Sequence, residues 1–253
     1  MGKIIAISNQ KGGVGKTTTA INLSAILADK GKKILLIDVD PQGNSTTGLG
    51  VDKEPIKNST YEMLLGNLKA KDVIIENVLD GLDLIPAKVN LSGAEIELAG
   101  VRRREHLLKK KLKGVVDKYD YIFIDCPPSL NMMTVNALTA ADKVLVPVQT
   151  EFFALEGLSQ LVYTIDLIKK KLNTDLVIDG IVFTMADFRN NLTKQVIENV
   201  TENVDFHIYE SIIPRNVRLA EAPSFGLPIN LYDGHSIGAS AYRKLANEFI
   251  ARH

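Results

Sequence analysis

The sequence predicts an α/β protein in which a largely parallel, twisted sheet is covered by helices on both faces. Short apolar runs rich in β-branched residues recur along the chain, and longer helical patterns lie between them. Strands of a parallel sheet are buried on both faces, so they appear in a sequence as continuous apolar runs of this kind. No Ser/Gly-rich linker, internal repeat or low-complexity tract interrupts the alternation. We therefore expect one domain over residues 1–253.

Six of the apolar runs are predicted strands. In chain order they are KIIAIS, KKILLID, LDLIPA, YIFIDC, KVLVPV and LVIDGIVFT. Buried helical pieces can have the same composition, but the lengths of these runs and the turn residues behind them favour strands. Helices are predicted over residues 16–30, ended by Gly31, over residues 154–172 and over residues 239–251.

The charge of the chain is balanced, with 30 Lys and Arg residues against 30 Asp and Glu residues. Bulk charge therefore predicts neither a nucleic-acid partner nor a membrane partner, and either would have to be held by a local patch. The strongest basic run is residues 102–113, RRREHLLKKKLK, in which Glu105 is the only acidic residue. The solvated face of a surface helix is the favoured interpretation of this run, and contact with DNA is the alternative.

Cysteine content and hydropathy predict a soluble protein of the cytoplasm. Cys126 is the only cysteine, so no intrachain disulfide can form, which is typical of a reducing compartment. No apolar run approaches the ~20 residues that a helix needs to cross a bilayer. The first apolar run passes directly into a polar loop and lacks the longer core of a signal peptide.

Residues 10–19, QKGGVGKTTT, almost match the phosphate-binding pattern G-x-x-x-x-G-K-[ST]. Gly15, Lys16 and Thr17 occupy the expected positions, but Gln10 replaces the leading glycine and a second lysine, Lys11, follows it. A strand precedes this stretch and a helix follows it, so a chance glycine-rich turn is disfavoured. Lys16 would neutralise the β- and γ-phosphates of a nucleotide, and the Thr17 hydroxyl would bind Mg²⁺.

Carboxylates follow two of the other predicted strands. Asp125 ends the strand in KYDYIFIDCPP, where a Walker-B-type carboxylate would hold Mg²⁺. A helix cap or an Asx turn before Pro127 is the structural alternative. Asp38 and Asp40 lie at the strand end in ILLIDVDPQGN, where one can face the metal and the other can orient a water for attack on the γ-phosphate. A capped turn without a catalytic role remains the alternative for this pair.

Together, the stretches QKGGVGKTT, LLIDVDPQGN, DYIFIDCPPS and IPRNVRLAEAPSFGLPI resemble the ParA/MinD class of deviant-Walker-A ATPases. The similarity is to the Soj-type chromosome-partitioning members and covers essentially the whole chain. It implies a P-loop NTPase fold and an ATPase that uses ATP and Mg²⁺. The last stretch is more restrictive than the phosphate loop, which marks only the wider superfamily.

The resemblance implies a role for each candidate site residue. Lys11 is the signature lysine that crosses a nucleotide-sandwich dimer to the phosphates bound by the other subunit, Lys16 is the phosphate-loop lysine, and Asp40 positions the hydrolytic water. Asp38 and Asp125 match the carboxylates on the metal side, together with Thr17. The implied nucleotide contacts are Lys11, Gly12, Gly13, Val14, Gly15, Lys16, Thr17, Thr18, Pro214 and Asn216.

The resemblance also implies partners. Soj-type proteins form an ATP-dependent homodimer that binds double-stranded DNA without sequence preference, and Arg189 and Arg218 match positions implicated in that contact. A ParB-type centromere-binding protein would stimulate hydrolysis, and the protein would be nucleoid-associated in the cytoplasm. Two basic patches joined by dimerisation would make both the affinity and its salt dependence steeper.

Proteins of three other functions have related folds. A MinD-like cell-division regulator would need a basic amphipathic helix at its C-terminus, whereas the stripe in SAYRKLANEFIARH is typical of a helix docked on the sheet, so no stable membrane association is expected. An iron-sulfur reductase of the nitrogenase iron-protein type needs two cysteines per subunit. A biosynthetic ligase such as a dethiobiotin synthetase lacks this form of the double-lysine loop.

Overall fold

The computed structural model describes residues 2–253, and its strands form one sheet. In chain order the strands are β1 (Lys3–Ile7), β2 (Ile34–Asp38), β3 (Ile75–Leu79), β4 (Leu82–Ile85), β5 (Tyr121–Asp125), β6 (Lys143–Gln149) and β7 (Val177–Thr184). Their order across the sheet is β3-β4-β2-β5-β1-β6-β7. Every neighbouring pair is parallel except the antiparallel edge pair β3 and β4.

Helices connect these strands and cover the sheet. The α-helices are α1 (Lys16–Asp29), α2 (Asn44–Gly48), α3 (Thr60–Leu65), α4 (Ala94–Leu98), α5 (Leu107–Leu112), α6 (Met132–Ala140), α7 (Ala154–Lys171), α8 (Asn191–Asn203), α9 (Val217–Glu221), α10 (Ile229–Tyr232) and α11 (Ile237–Arg252). Short 3₁₀ turns add to the connections. The described residues contain no helix with the length and apolar content of a membrane span.

Each strand contributes to two cores because successive side chains point to opposite faces of the sheet. In β1, Ile5 and Ile7 face the core beneath α1 and α11, whereas Ile4 and Ala6 face the core beneath α5, α6, α7 and α8. Both faces of the central strands are thereby sealed from water. The α/β class with helices on both faces is confirmed.

The six predicted strands are all present, but the sequence did not indicate the seventh, β3. Its residues IENVL are partly exposed, Asn77 has a positive φ of 54°, and the pairing with β4 shifts register. An exposed edge strand with a break in its pairing lacks both the alternation and the continuous apolar run that identify strands in a sequence.

Both ends of each of the three predicted helices lie within two residues of the corresponding ends of α1, α7 and α11. Helix α1 ends at Asp29, and Gly31 follows with a φ of 79°. In α11 the apolar stripe is docked as expected, because Tyr242, Leu245 and Phe249 are buried in the core. The basic run is less regular than predicted, since residues 104–106 form a 3₁₀ turn and only Leu107–Leu112 is α-helical.

Candidate nucleotide-binding site

The candidate site lies at the carboxyl ends of three adjacent parallel strands, β2, β5 and β1. Ile7, Asp125 and Asp38 are in register across these strands. The loops that follow the strands therefore meet at one edge of the sheet, where ligands bind in open α/β sheets. This arrangement brings the glycine-rich loop and both strand-end carboxylates together, although Asp125 lies 110 residues after Gly15 in the sequence.

The loop between β1 and α1 has the backbone shape of a phosphate cradle. Gly13 and Gly15 have φ values of 74° and 84°, in the left-handed region that favours glycine. Gly15 is the N-cap of α1, and no side chain accepts a hydrogen bond from the first turn of that helix. The free N–H groups and the positive end of the helix dipole are suited to an anion. The Thr184 hydroxyl donates to the Val14 carbonyl at 2.8 Å and holds the loop in place.

The Lys16 side chain is buried under this loop. Its Nζ donates to the Lys11 carbonyl at 2.9 Å, and the residue is only 6% exposed. Burial lowers the pKa of Lys16, while the nearby carboxylates, Asp125 above all, oppose that change. An ammonium held this way lacks a full set of anionic partners, and a polyphosphate would supply them.

Thr17 and Asp125 form the part of the site that fits Mg²⁺. The Thr17 hydroxyl and the Ser45 hydroxyl each donate to Asp125 Oδ2 at 2.8 Å. The other oxygen, Oδ1, is buried without a hydrogen-bond partner. A carboxylate oxygen and a hydroxyl are hard ligands of the kind Mg²⁺ prefers, and the unpartnered oxygen is a free acceptor for a cation or its water. No group of three or more acidic, His or Cys side chains with metal-binding geometry occurs in residues 2–253.

Asp38 is placed differently from Asp125. Its Oδ2 accepts hydrogen bonds from the Thr46 backbone N–H at 2.9 Å and the Thr46 hydroxyl at 2.8 Å. Its Oδ1 accepts one from the Asp40 N–H at 3.2 Å. Because both oxygens already have donors from the chain, Asp38 fixes the segment between β2 and α2 and adds negative charge beside Asp125.

Burial raises the pKa of both carboxylates, and the charge of Asp38 adds to the rise at Asp125. The pKa of Asp38 is raised to about 6 and that of Asp125 to about 7. The ordinary value is 3.8 for both. A divalent cation beside them would favour the ionised forms and remove the repulsion.

We expect Asp125→Asn to stabilise the ligand-free protein at neutral pH. A raised pKa means that the native state keeps a proton that the unfolded chain releases, so the stability from this proton is lost as pH rises from about 4 to about 7. Removing the ionisable group should raise the free energy of unfolding at pH 7.5 by about 1 to 3 kcal/mol. Denaturant titrations at pH 5 and pH 7.5, without nucleotide or Mg²⁺, measure this.

The readout is the difference between wild type and the variant, because Asp38, whose pKa is also raised, adds a pH dependence of its own in the same range. Asp175→Asn, at an exposed carboxylate, is the matched control and should leave the pH dependence unchanged. A larger stability loss in Asp125→Asn at pH 7.5 than at pH 5 would contradict the prediction.

Asp40 begins the loop that leads into α2. One of its oxygens accepts a hydrogen bond from the Gln42 N–H at 2.9 Å, and the residue is 7% exposed. Its charge reaches Lys16, Asp38 and Asp125, which shows that all four groups share one site. Gly43, with a φ of 62°, turns the chain after Asp40 into the helix.

Lys11 lies on the exposed rim of the loop and is paired within its own chain. Its Nζ is 2.9 Å from Glu151 Oε2, and both side chains are partly exposed. The neighbouring Gly12 is exposed, and a Cβ placed there would come no closer than 3.8 Å to another side chain. Nothing in this chain therefore needs Gly12 to lack a side chain.

A cavity of about 180 Å³ adjoins the loop on the side away from the carboxylates. Pro214 and Asn216 line it together with Gly15 and Thr18, so the residues assigned to the nucleotide base do meet the phosphate loop. The Asn216 side chain also caps α9 by accepting from the Leu219 N–H at 3.3 Å. The structure thus brings Pro214 and Asn216 beside Gly15 and Thr18 at one cavity.

Sequence reasoning missed several residues of this site. Ser45 and Thr46 hold the two carboxylates, and their position just after the PQGN loop was the available signal. Thr184 and Met185 line the cavity, with Met185 at a φ of 52°. No sequence pattern marks a methionine that follows a strand as a cavity residue.

Arg189 and Arg218 lie outside the cavity, on the surface. Each is in contact with acidic side chains of its own chain, Arg189 with Asp187 and Arg218 with Glu221 and Asp233. In the basic run, by contrast, the exposed residues have no carboxylate within 4.0 Å among residues 2–253; they are Arg102, Arg103, Lys109, Lys110 and Lys113.

A glycine-rich loop between the first strand and the first helix, with a buried lysine and a strand-end carboxylate on its threonine, defines a P-loop nucleotide-binding protein. A family model described as an AAA domain matches residues 2–178. The chain is 55% identical over 251 residues to the sporulation initiation inhibitor protein Soj of Bacillus subtilis, covering 99% of both chains. It is 52% identical over 252 residues to the chromosome partitioning protein ParA of Caulobacter vibrioides, covering 99% of this chain and 94% of that one.

The chain therefore belongs to the ParA/Soj family of P-loop partitioning ATPases. Solved structures share the fold. A cobyrinic acid a,c-diamide synthase from Mycobacterium smegmatis, solved with an ATP analogue and magnesium, has a TM-score of 0.87 and 35% identity, covering 99% of this chain and 95% of that one. The cell division ATPase MinD of Pyrococcus furiosus has a TM-score of 0.83 and 28% identity, with both chains fully covered. Proteins with this fold thus have several different functions, so the function of this chain must be argued from its site.

Proposed function

We propose that this protein is a DNA-partitioning ATPase whose residues 1–253 form one ATPase domain. It binds ATP with Mg²⁺, dimerises around the nucleotide, binds double-stranded DNA without sequence preference, and returns to monomers after hydrolysis. The observation that carries the proposal is the position of two lysines in one phosphate loop. Lys16 is buried beneath the loop, whereas Lys11 lies on its exposed rim.

Within one subunit the loop residues bind the phosphates, and the carboxylates at the strand ends form the part of the site that binds the metal ion. Lys16 and the N–H groups from Gly12 to Thr18 neutralise the triphosphate, and the Thr17 hydroxyl and Asp125 hold Mg²⁺, which supplies charge stabilisation when it is bound. Asp38 adds charge to that side and orders the loop that carries Asp40. Asp40 positions the attacking water. It is the carboxylate best placed for water, so unstimulated turnover is slow.

Between subunits, Lys11 supplies the cation that makes ATP part of the dimer contact. In the single chain its charge is neutralised by Glu151 at 2.9 Å. The pair is partly exposed, and such pairs contribute only ~0–1 kcal/mol, so a triphosphate of the other subunit can displace the carboxylate. The exposed Gly12 allows the two backbones to approach closely.

DNA binding requires the dimer because a neutral chain offers only a small basic patch. Arg189 and Arg218 from each subunit would contact phosphates, and two copies double the number of contacts. A ParB-type partner stimulates hydrolysis and so releases the protein from DNA. The expected location is the nucleoid.

A MinD-like function is the second candidate, because the Pyrococcus MinD structure shares the fold over its full length. Membrane contact through α11 would need a free apolar face. Tyr242, Leu245 and Phe249 of that helix are instead packed into the core. Binding to anionic liposomes instead of DNA would distinguish this candidate from a partitioning ATPase.

We expect the protein to bind random-sequence duplex DNA with ATP, but not with ADP or without nucleotide, and to ignore anionic liposomes. Arg189→Glu combined with Arg218→Glu should weaken the DNA affinity of the ATP form at least about tenfold. The reason is that two positive charges become negative in each subunit where phosphates bind. ATP-dependent dimers should persist. Fluorescence anisotropy and light scattering measure the two properties.

Lys109→Glu combined with Lys110→Glu is the matched control, since it makes the same change in charge on α5, where both residues are exposed. Loss of DNA binding in this control but not in the arginine variant would move the DNA surface to residues 102–113. Binding to liposomes instead of DNA would favour the MinD-like function.

A further inference from the structure

The two arginines that we assign to DNA contact are held by acidic side chains of their own chain. The Arg189 guanidinium makes a two-pronged contact with Asp187, in which Nε donates to Oδ1 at 2.8 Å and Nη2 donates to Oδ2 at 2.7 Å. Arg218 Nη1 donates to Glu221 Oε2 at 3.0 Å, and Arg218 Nε lies 3.5 Å from Asp233 Oδ2. Each guanidinium therefore already has two of its nitrogens engaged by carboxylates of its own chain.

A carboxylate and a DNA phosphate compete for the same donors. The planar guanidinium offers a fork of N–H groups that fits either anion in the same two-pronged way. Asp187 responds to this contact, because Arg189 lowers the pKa of its carboxyl to about 2, with a smaller contribution from Arg215. The Arg189 side chain is 89% exposed, so the exchange of one anion for the other needs no change in the core.

Pairing of this kind is not general among the exposed cations of the chain. Five of the basic residues in the 102–113 run lie on the surface without a carboxylate partner in the part of the chain that the structure describes. The balanced composition of the chain does not by itself predict that Arg189 and Arg218 are paired with carboxylates while these five residues are not. Their carboxylates come from the same two short segments that carry them, residues 187–189 and 218–233.

Residues next to both segments line the candidate base cavity. Thr184 and Met185 line it two to three residues before Asp187, and the segment from Pro214 to Ala220 lines it around Arg218. Backbone hydrogen bonds tie the two segments together, with the Ala186 N–H donating to Ile213 and the Arg215 N–H donating to Ala186. A base in the cavity would contact residues next to both segments at once.

We propose that Asp187, together with Glu221 and Asp233, occupies the DNA-binding donors of Arg189 and Arg218 and so weakens DNA binding by the nucleotide-free protein. These carboxylates act as internal substitutes for DNA phosphates. Nucleotide in the cavity shifts the two segments and lets phosphates replace the carboxylates. The proposal rests on the proposed DNA-binding function and adds to it the reason why the protein without ATP does not bind.

The test is Asp187→Asn, measured without nucleotide on random-sequence duplex DNA over a range of NaCl concentrations. Asparagine keeps the size of the side chain and removes the charge that holds Arg189. Freeing one fork adds about one phosphate contact per protomer, so the slope of log K against log salt should become more negative by about 0.9. At low salt the affinity of the nucleotide-free variant should exceed that of wild type at least about threefold.

Asp175→Asn is the matched control because it makes the same change in net charge. Asp175 is exposed and precedes β7, whereas Asp187 follows that strand, so the two lie at opposite ends of it. An equal gain in both variants would overturn the proposal, since the effect would then be one of net charge. No gain in Asp187→Asn would also overturn it.

The double variant Asp187→Asn/Arg189→Gln tests whether the gain in DNA affinity of Asp187→Asn depends on Arg189. Its nucleotide-free DNA affinity should return to the level of Arg189→Gln alone, as a double-mutant cycle requires of a coupled pair. A gain that survives the loss of Arg189 would contradict the proposal. Wild type with ATP is included throughout. If it binds DNA while Asp187→Asn shows no gain, only this inference fails, and if wild type with ATP does not bind, the proposed function fails with it.

Discussion

Replacing Lys16 with methionine should abolish ATP binding and leave the ligand-free fold intact. The ammonium of Lys16 is buried, and burial lowers its pKa more than the nearby carboxylates raise it. Removing a buried charge of this kind costs the apo protein little, whereas the complex loses charge-assisted contacts to phosphates. We expect ATP affinity to fall at least about 100-fold, which corresponds to about 2.7 kcal/mol. Isothermal titration with ATP and Mg²⁺ measures it.

The melting temperature provides the control for folding. The variant should unfold at the temperature of ligand-free wild type or above it, and the ATP-induced increase in melting temperature should disappear. Lys11→Met tests the specificity of the effect, because Lys11 lies on the rim of the loop. It should retain ATP affinity in the monomer and lose ATP-dependent dimerisation. Normal ATP affinity in Lys16→Met would overturn the phosphate-loop assignment.

The sequence predicted those parts of the site that depend on local geometry. Strand, glycine-rich loop and helix follow one another within residues 3–29, so the spacing of Gly15, Lys16 and Thr17 alone placed them correctly relative to one another. Asp38 and Asp125 end apolar strands. Because parallel strands share one carboxyl edge, the sequence also indicated that they face the same side.

Other features depend on contacts between distant segments. The order of the strands brings β5 between β1 and β2, and no local pattern encodes that order. Pro214 and Asn216 were assigned through family resemblance, and Met185 beside them was missed. The pairing of Lys11 with Glu151 joins residues 140 positions apart, so only a folded chain reveals it.

The functional cations of the chain fall into two groups, one buried and one exposed, which have different roles in the proposed cycle. Lys16, which acts within its own subunit, is buried and short of anionic partners. Lys11, Arg189 and Arg218, which we assign to partners outside the chain, are each neutralised by a carboxylate of the chain. Exposed pairs of this type exchange partners at little cost. In the proposed cycle the single chain would therefore bind ATP first and its larger partners afterwards.

Asp40→Ala should trap the protein in its ATP-bound dimer. Asp40 hydrogen-bonds to the Gln42 N–H in the loop before α2 and does not form part of the glycine-rich loop. Its loss should therefore leave ATP affinity within about threefold of wild type. Hydrolysis should fall about 100-fold, because positioning of the attacking water by a carboxylate typically contributes ~10²–10⁴-fold. Phosphate release under single-turnover conditions and size-exclusion chromatography with ATP measure the rate and the dimer.

Asp52→Ala is the control, since Asp52 is an exposed carboxylate that likewise accepts a hydrogen bond from the backbone two residues further along the chain. It should hydrolyse ATP at the wild-type rate. The contrast between the two separates a catalytic loss from general loosening of the segment after β2. If Asp40→Ala binds ATP normally but stays monomeric, the carboxylate acts in dimerisation and not on water. If it dimerises and still hydrolyses at the wild-type rate, the water must be positioned by another group, and Asp38, two residues away and hydrogen-bonded to the Asp40 N–H, becomes the next residue to replace.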